Sequence, residues 1–119
     1  MNEIKLGTVQ EKFADIIWEL EPIPSGQLVK VCAERLNWKK PTTYTVLRTL
    51  CEKGIVQNKD CVVTSLMSKD EYLTKCSRQF VDTTFGGSLP AFVAAFTKRK
   101  SLSDAEIAEL RTLIENSKK

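Results

Sequence analysis

The chain contains no histidine. That removes the side chain best suited to proton transfer near neutral pH and a common nitrogen ligand for zinc. The four cysteines, Cys32, Cys51, Cys61 and Cys76, show no CxxC spacing, so neither a metal site nor a cofactor is expected. No glycine-rich phosphate loop and no placed pair of carboxylates is visible. No cysteine has a base partner, so nucleophilic catalysis has no machinery and the chain is not expected to be an enzyme. With a polar N-terminus and no apolar run near ~18 residues, no signal peptide and no membrane partner are expected, and the expected location is the cytosol.

What is present is an ordinary globular composition. A length of 119 residues with 42% apolar content suits one compact domain, or a small domain with an appendage, and argues against disorder. The net charge of +3 is too small to indicate a nucleic-acid partner by itself, but it is unevenly spread. Between residues 35 and 59 stand six bases (Arg35, Lys39, Lys40, Arg48, Lys53, Lys59) against one acid, Glu52. Residues 1–24 carry two lysines and five acids. Positive charge is therefore concentrated in one stretch.

That stretch, residues 38–66, organises the rest. Val46, Leu47 and Leu50 recur at helical spacing, Pro41 suits a first turn, and Thr42 or Thr43 can cap it. Gly54 supplies a left-handed terminus, which predicts a helix over 42–53. Its outer face would hold Thr43, Tyr44, Thr45, Arg48 and Thr49, with no acid before Glu52. A helix of hydroxyls and one guanidinium is suited to a DNA major groove. Residues 55–58 and 62–66 are β-type runs around the turn Lys59-Asp60-Cys61, so a hairpin follows the helix directly. This is the order of a winged helix-turn-helix.

Upstream, residues 1–7 read as a loose arm. From Thr8, the residues Val9, Phe13, Ile16, Ile17 and Leu20 form a helical stripe that stops near Glu21, before Pro22 and Pro24. Ser25 is a natural N-cap for a second helix, with Leu28, Val31, Cys32 and Leu36 inside. The predicted core combines Phe13, Ile16, Ile17, Leu28, Val31, Val46, Leu50, Ile55 and Val63, with Trp18 and Trp38 at its edges. Cys32 and Cys51 read as core thiols and Cys61 as a surface one.

After Leu66 the chain turns almost wholly helical. Ser68 with Glu71, and Ser103 with Glu106, are capping-box patterns; Gly86-Gly87 separate the helices between them. Four of the five phenylalanines, Phe80, Phe85, Phe92 and Phe96, lie in this tail. Burial of each is worth about 1.5–3 kcal/mol, and about fifty residues rarely support a core unaided. A second copy of the tail would cover them; folding back onto the winged helix is the alternative. The expected fold is mainly α with a small β-hairpin wing: a winged-helix DNA-binding domain over 1–67 and a helical dimerisation domain over 68–119.

These features resemble the penicillinase-repressor family over roughly residues 6–118. The resemblance rests on Ile17-Trp18-Glu19, on Thr45-Val46-Leu47-Arg48-Thr49-Leu50, and on Glu52-Lys53-Gly54-Ile55-Val56. In the tail it rests on Phe85-Gly86-Gly87-Ser88 and Leu102-Ser103-x-x-Glu106-Ile107-x-Glu109-Leu110. It implies a homodimeric repressor on a palindromic operator in double-stranded DNA. Recognition positions would fall on Thr43, Tyr44, Thr45 and Arg48. The dimer contact would use Phe80, Phe85, Leu89, Phe92, Phe96, Ile107, Leu110, Leu113 and Ile114. It also implies a sensor-linked protease that cuts within 92–96, but Ala95-Phe96 stands where the family has Asn-Phe, a departure that weighs against cleavage. The copper-responsive branch uses a C-terminal CxC pair that is absent here.

On this reading Arg48 reads a guanine, while Tyr44, Thr42, Thr43 and Thr45 reach phosphate, sugar or a thymine methyl. Lys39, Lys40, Lys53 and Lys59 hold phosphates. Two other readings stay open at this point: a winged helix used as a protein-interaction module, and a regulator switched at Cys61 or Cys76.

Overall fold

The apolar stripe at the start of the chain builds α1 (Thr8–Leu20), whose inner face buries Phe13, Ala14, Ile16 and Ile17. The computed structural model describes residues 4–118. Glu21 ends α1, and its carboxylate accepts from the backbone N–H and hydroxyl of Ser65, each at 2.8 Å, pinning the helix end to the last strand. Val9, expected on the buried stripe, is instead 54% exposed.

β1 (Ile23–Pro24) follows, then α2 (Ser25–Leu36) and α3 (Lys40–Glu52). Leu28 and Cys32 from α2, and Thr43, Leu47 and Leu50 from α3, are buried. Val31 and Val46, expected in the core, are only half-buried and pack against its margin. Phe13 stacks on Trp38 with ring centroids 5.4 Å apart, so that tryptophan closes the core edge as expected. Trp18 does the same beside Tyr72, its indole N–H donating to the Met67 carbonyl at 3.0 Å.

α3 ends on a Schellman motif. Gly54 adopts φ 76°, and the N–H groups of Gly54 and Ile55 reach back to the carbonyls of Cys51 and Leu50, each at 3.0 Å. β2 (Val56–Lys59) and β3 (Val62–Ser65) then form the wing, Lys59 facing Val62 across a two-residue turn. Asp60 and Cys61 have φ 54° and 63°, the two positive angles of a type I′ hairpin. The sheet has three strands rather than two, in the order β1-β3-β2. Ile23 pairs with Val63 and Pro24 with Val62, and Pro24 is tolerated because β1 is an edge.

The loose arm is not loose where it is described; residues 1–3 lie outside the described residues. Leu6 is 2% exposed, and its N–H donates to the Tyr72 hydroxyl at 2.8 Å. Tyr72 lies on α4 (Lys69–Phe85), and its hydroxyl in turn donates to Glu11 at 3.3 Å. These contacts group α4 as far as Gln79 with the winged helix, and the chain divides into compact units between Gln79 and Phe80.

The second unit holds the end of α4, α5 (Leu89–Thr97) and α6 (Asp104–Asn116). Both predicted capping boxes form: Ser68 with Glu71, and Ser103 with Glu106. The hydrogen bonds from Ser103 hold the Glu106 carboxyl below its ordinary value. Gly86 and Gly87, at φ 59° and 83°, end α4, and Ser88 caps α5 by accepting from Ala91.

Candidate nucleic-acid interface

α3 starts with Lys39 as N-cap and Pro41 in its first turn, with no acid there. Its orphan amides therefore sit among Lys39, Lys40 and Thr42, all exposed. Thr45 and Arg48 continue this exposed face along the helix. The Thr45 hydroxyl donates to the Pro41 carbonyl at 2.9 Å, and that of Thr49 to the Thr45 carbonyl at 3.2 Å. With its proton committed to the backbone, Thr45 offers outward a methyl group and oxygen lone pairs, which suit a thymine methyl or a cytosine amino group.

Among the described residues the ion pairs are Arg35–Glu19, Lys69–Asp15 and Lys118–Glu115. None of these pairs involves Lys39, Lys40, Arg48 or Lys59, on α3 and the wing. Lys59 is exposed at the hairpin tip, alongside exposed Gln57 and Asn58. Neither of the last two was singled out by the charge pattern; only the hairpin register places them there.

Three of the expected contact residues depart from their places. Thr43 is 1% exposed, its hydroxyl donating to the Lys39 carbonyl at 3.3 Å. The inner stripe of α3 is thus Thr43, Leu47 and Leu50, and the outer face loses a threonine. Positions 43, 47 and 50 have i, i+4, i+7 spacing, but a threonine is not read as apolar. Tyr44 is half-buried, with its hydroxyl donating to Ser25 Oγ at 3.3 Å. Lys53 lies just past the helix end, and its Nζ donates to the Lys5 carbonyl at 3.1 Å, away from the α3 N-terminus. Nor does Ser25 cap α2: Pro24 holds the N-cap position, with no side-chain cap.

The thiols are unlike one another. Cys32 is buried, and burial raises its pKa from 9.0 to about 11, against smaller lowering effects of Thr43 and Arg35. Burial also raises Cys51, which is half-buried, while Cys61 is exposed in the wing turn. Among the described residues no cluster of three or more Cys, Asp or Glu could hold a metal ion.

The second unit carries the other expected contact residues. Phe80, Phe85, Phe92 and Phe96 form a chain of ring contacts, with Phe85 and Phe92 centroids 5.6 Å apart and Phe92 and Phe96 5.9 Å apart. No residue of α5 or α6 is buried. Phe96, Leu113 and Ile114 are 63%, 61% and 58% exposed; Leu89 and Leu110 are exposed too, and Ile107 is half-buried. Between α5 and α6 runs an apolar groove of about 370 Å³, lined by Phe92, Val93, Phe96, Leu102, Leu110 and Leu113, with Glu106 and Glu109 beside them.

Comparison with known proteins agrees with this architecture. The sequence profile of the family described as penicillinase repressor matches residues 6–116. The methicillin resistance regulatory protein MecI of Staphylococcus aureus is 24% identical over 114 residues, covering 92% of this chain and 93% of the relative. The penicillinase repressor of Bacillus licheniformis is 26% identical over 107 residues, covering 87% and 84%. A penicillinase repressor of Staphylococcus aureus is 21% identical over 122 residues, covering 99% and 97%. A match that runs from the first buried leucine to the last helix leaves no ambiguity of assignment: the chain belongs to the penicillinase repressor family.

Proposed function

We propose that this chain is a DNA-binding transcriptional repressor that works as a homodimer on a two-fold symmetric operator. The observation that carries the reading is the exposed face of α3, where Lys39, Lys40, Thr42, Thr45 and Arg48 face solvent and none of the ion pairs among the described residues engages its three bases. Each protomer lays this face in a major groove. Arg48 takes a guanine in bidentate fashion, worth about 1–3 kcal/mol of discrimination. Lys39, Lys40 and Lys59 bind phosphates and set the register. The exposed apolar side chains of α5 and α6 support the dimer, since the same surface on a second copy is their natural cover.

A sensor-linked protease is a further partner that the resemblance implies. Ala95 and Phe96 lie inside α5, so this helix must unwind before a protease could cut between them. Relief of repression without cutting fits this chain better.

The test is selection of duplexes from a random pool by the full chain, followed by salt titration of the selected site. The expected product is a palindrome with half-sites about 10 bp apart or a multiple of that spacing. Its affinity should fall steeply with salt as counterions are released. Recovery of no symmetric motif, with binding indifferent to salt, would remove the reading.

A further inference from the structure

Ser25, the first residue of α2, joins the recognition helix to the wing. It is 6% exposed. Its backbone N–H donates to the Cys61 carbonyl in the wing turn at 2.8 Å. Its side-chain oxygen accepts from the Tyr44 hydroxyl of α3 at 3.3 Å. Serine at a helix start usually caps the free amides, but here the side chain makes no cap bond. A hydroxyl this buried is costly unless paired, and the partner it has is on another helix.

The wing side of the link is continuous. Ile23 and Pro24 pair with Val63 and Val62, and the bond from Ser25 to Cys61 extends that pairing to the hairpin tip. The helix side is equally direct. Tyr44 lies four residues before Arg48, on the same row of α3. One residue therefore touches both the strand turn beside Lys59 and the helix row that carries Arg48.

We infer that Ser25 is a positioning residue for sequence recognition: through Tyr44 it fixes the rotation of α3 against the wing, so that Arg48 and Lys59 meet base edge and phosphate in one register. The inference rests on the DNA-binding reading above. Tyr44 then acts through Ser25 and not by reaching phosphate itself. Loss of the bond weakens discrimination between sequences more than it weakens binding to DNA as such.

The experiment uses the full chain, the duplex recovered by selection, and a scrambled duplex of the same length and composition. Affinities for both are measured at one salt concentration for wild type, Ser25→Ala, Tyr44→Phe and the double variant, each first checked by circular dichroism to be folded. Each single variant should reduce the selected-to-scrambled affinity ratio by roughly three- to tenfold, the worth of one hydrogen bond, and the double variant should reduce it no further. An unchanged ratio with a lowered Tm overturns the inference, since the bond would then merely stabilise. Single effects that multiply in the double variant overturn it too, because Tyr44 would then contact DNA independently of Ser25. Wild type binding both duplexes equally would sink the DNA reading itself, and is seen before any variant is made.

Discussion

Thr42 and Thr43 are neighbours of one chemistry, yet α3 sends the first to solvent and the second to 1% exposure. Side-chain chemistry alone therefore does not decide which residues are open to a partner; the helix phase does. Arg48 and Lys40 lie on the exposed side of that phase, and their roles are separable. Arg48→Ala should relax base preference at one operator position, a loss of about 1–3 kcal/mol of discrimination. Lys40→Ala should weaken all sequences alike and reduce the salt slope by about one. Competition gel shifts over a salt series read both, and equal losses on all sequences for the two variants would take base reading away from Arg48. The buried thiol gives a second prediction at this scale. Cys32 titrates near 9.0 when unfolded but is pushed up to about 11 by burial in the native chain. Between those values the unfolded state has lost a proton that the native state keeps, so rising pH favours unfolding. Its stabilising effect is complete below about 9 and is lost as pH rises toward 11. Burial raises Tyr72 and Cys51 as well, in the same direction. Urea midpoints measured across that window should fall, and Cys32→Ala should flatten the fall.

At the scale of elements, the end of α3 is the joint between that helix and the wing. Gly54 sits at φ 76° in open space, so a methyl group there would meet no neighbour. Gly54→Ala should still cost about 1 kcal/mol, all of it from the left-handed backbone and none from a clash. Thermal unfolding checks this, and a Tm unchanged from wild type would mean that the Schellman turn relaxes freely. The wing itself depends on a similar local device, the paired positive angles of Asp60 and Cys61. Its third strand is different in kind: two residues, Ile23 and Pro24, acquire strand geometry only because Val63 and Val62 are there to pair with them.

At the scale of the whole molecule, the two units bury their side chains very differently. The winged helix has a closed core of fully buried residues such as Phe13, Leu28, Leu50 and Val63. The second unit leaves Phe96, Leu113 and Ile114 more than half exposed. On the proposed dimer, Leu110→Asp, which puts a charge beside the α5–α6 groove, should yield monomers by light scattering and weaken operator binding at least tenfold as the linked second half-site is lost. If that variant still elutes as a dimer, the face is not the interface.

Much of this was legible in the residue order, because local rules are strong where neighbours in sequence are neighbours in space. The helix starts at Thr8 and Leu89, both capping boxes of the tail, the glycine stop at Gly54, and the hairpin after it all follow from propensity and turn chemistry within a few residues. What distant chain segments do to one another was not legible. The docking of Leu6 under Tyr72, the strand pairing of Ile23, the burial of Thr43 and the link from Ser25 to Tyr44 and Cys61 join residues up to 66 positions apart. A hydroxyl reads as polar until packing closes over it, and a two-residue strand has no period to detect. The sequence thus determined the elements and the charge of α3; tertiary packing decided which way that helix faces and what holds it there.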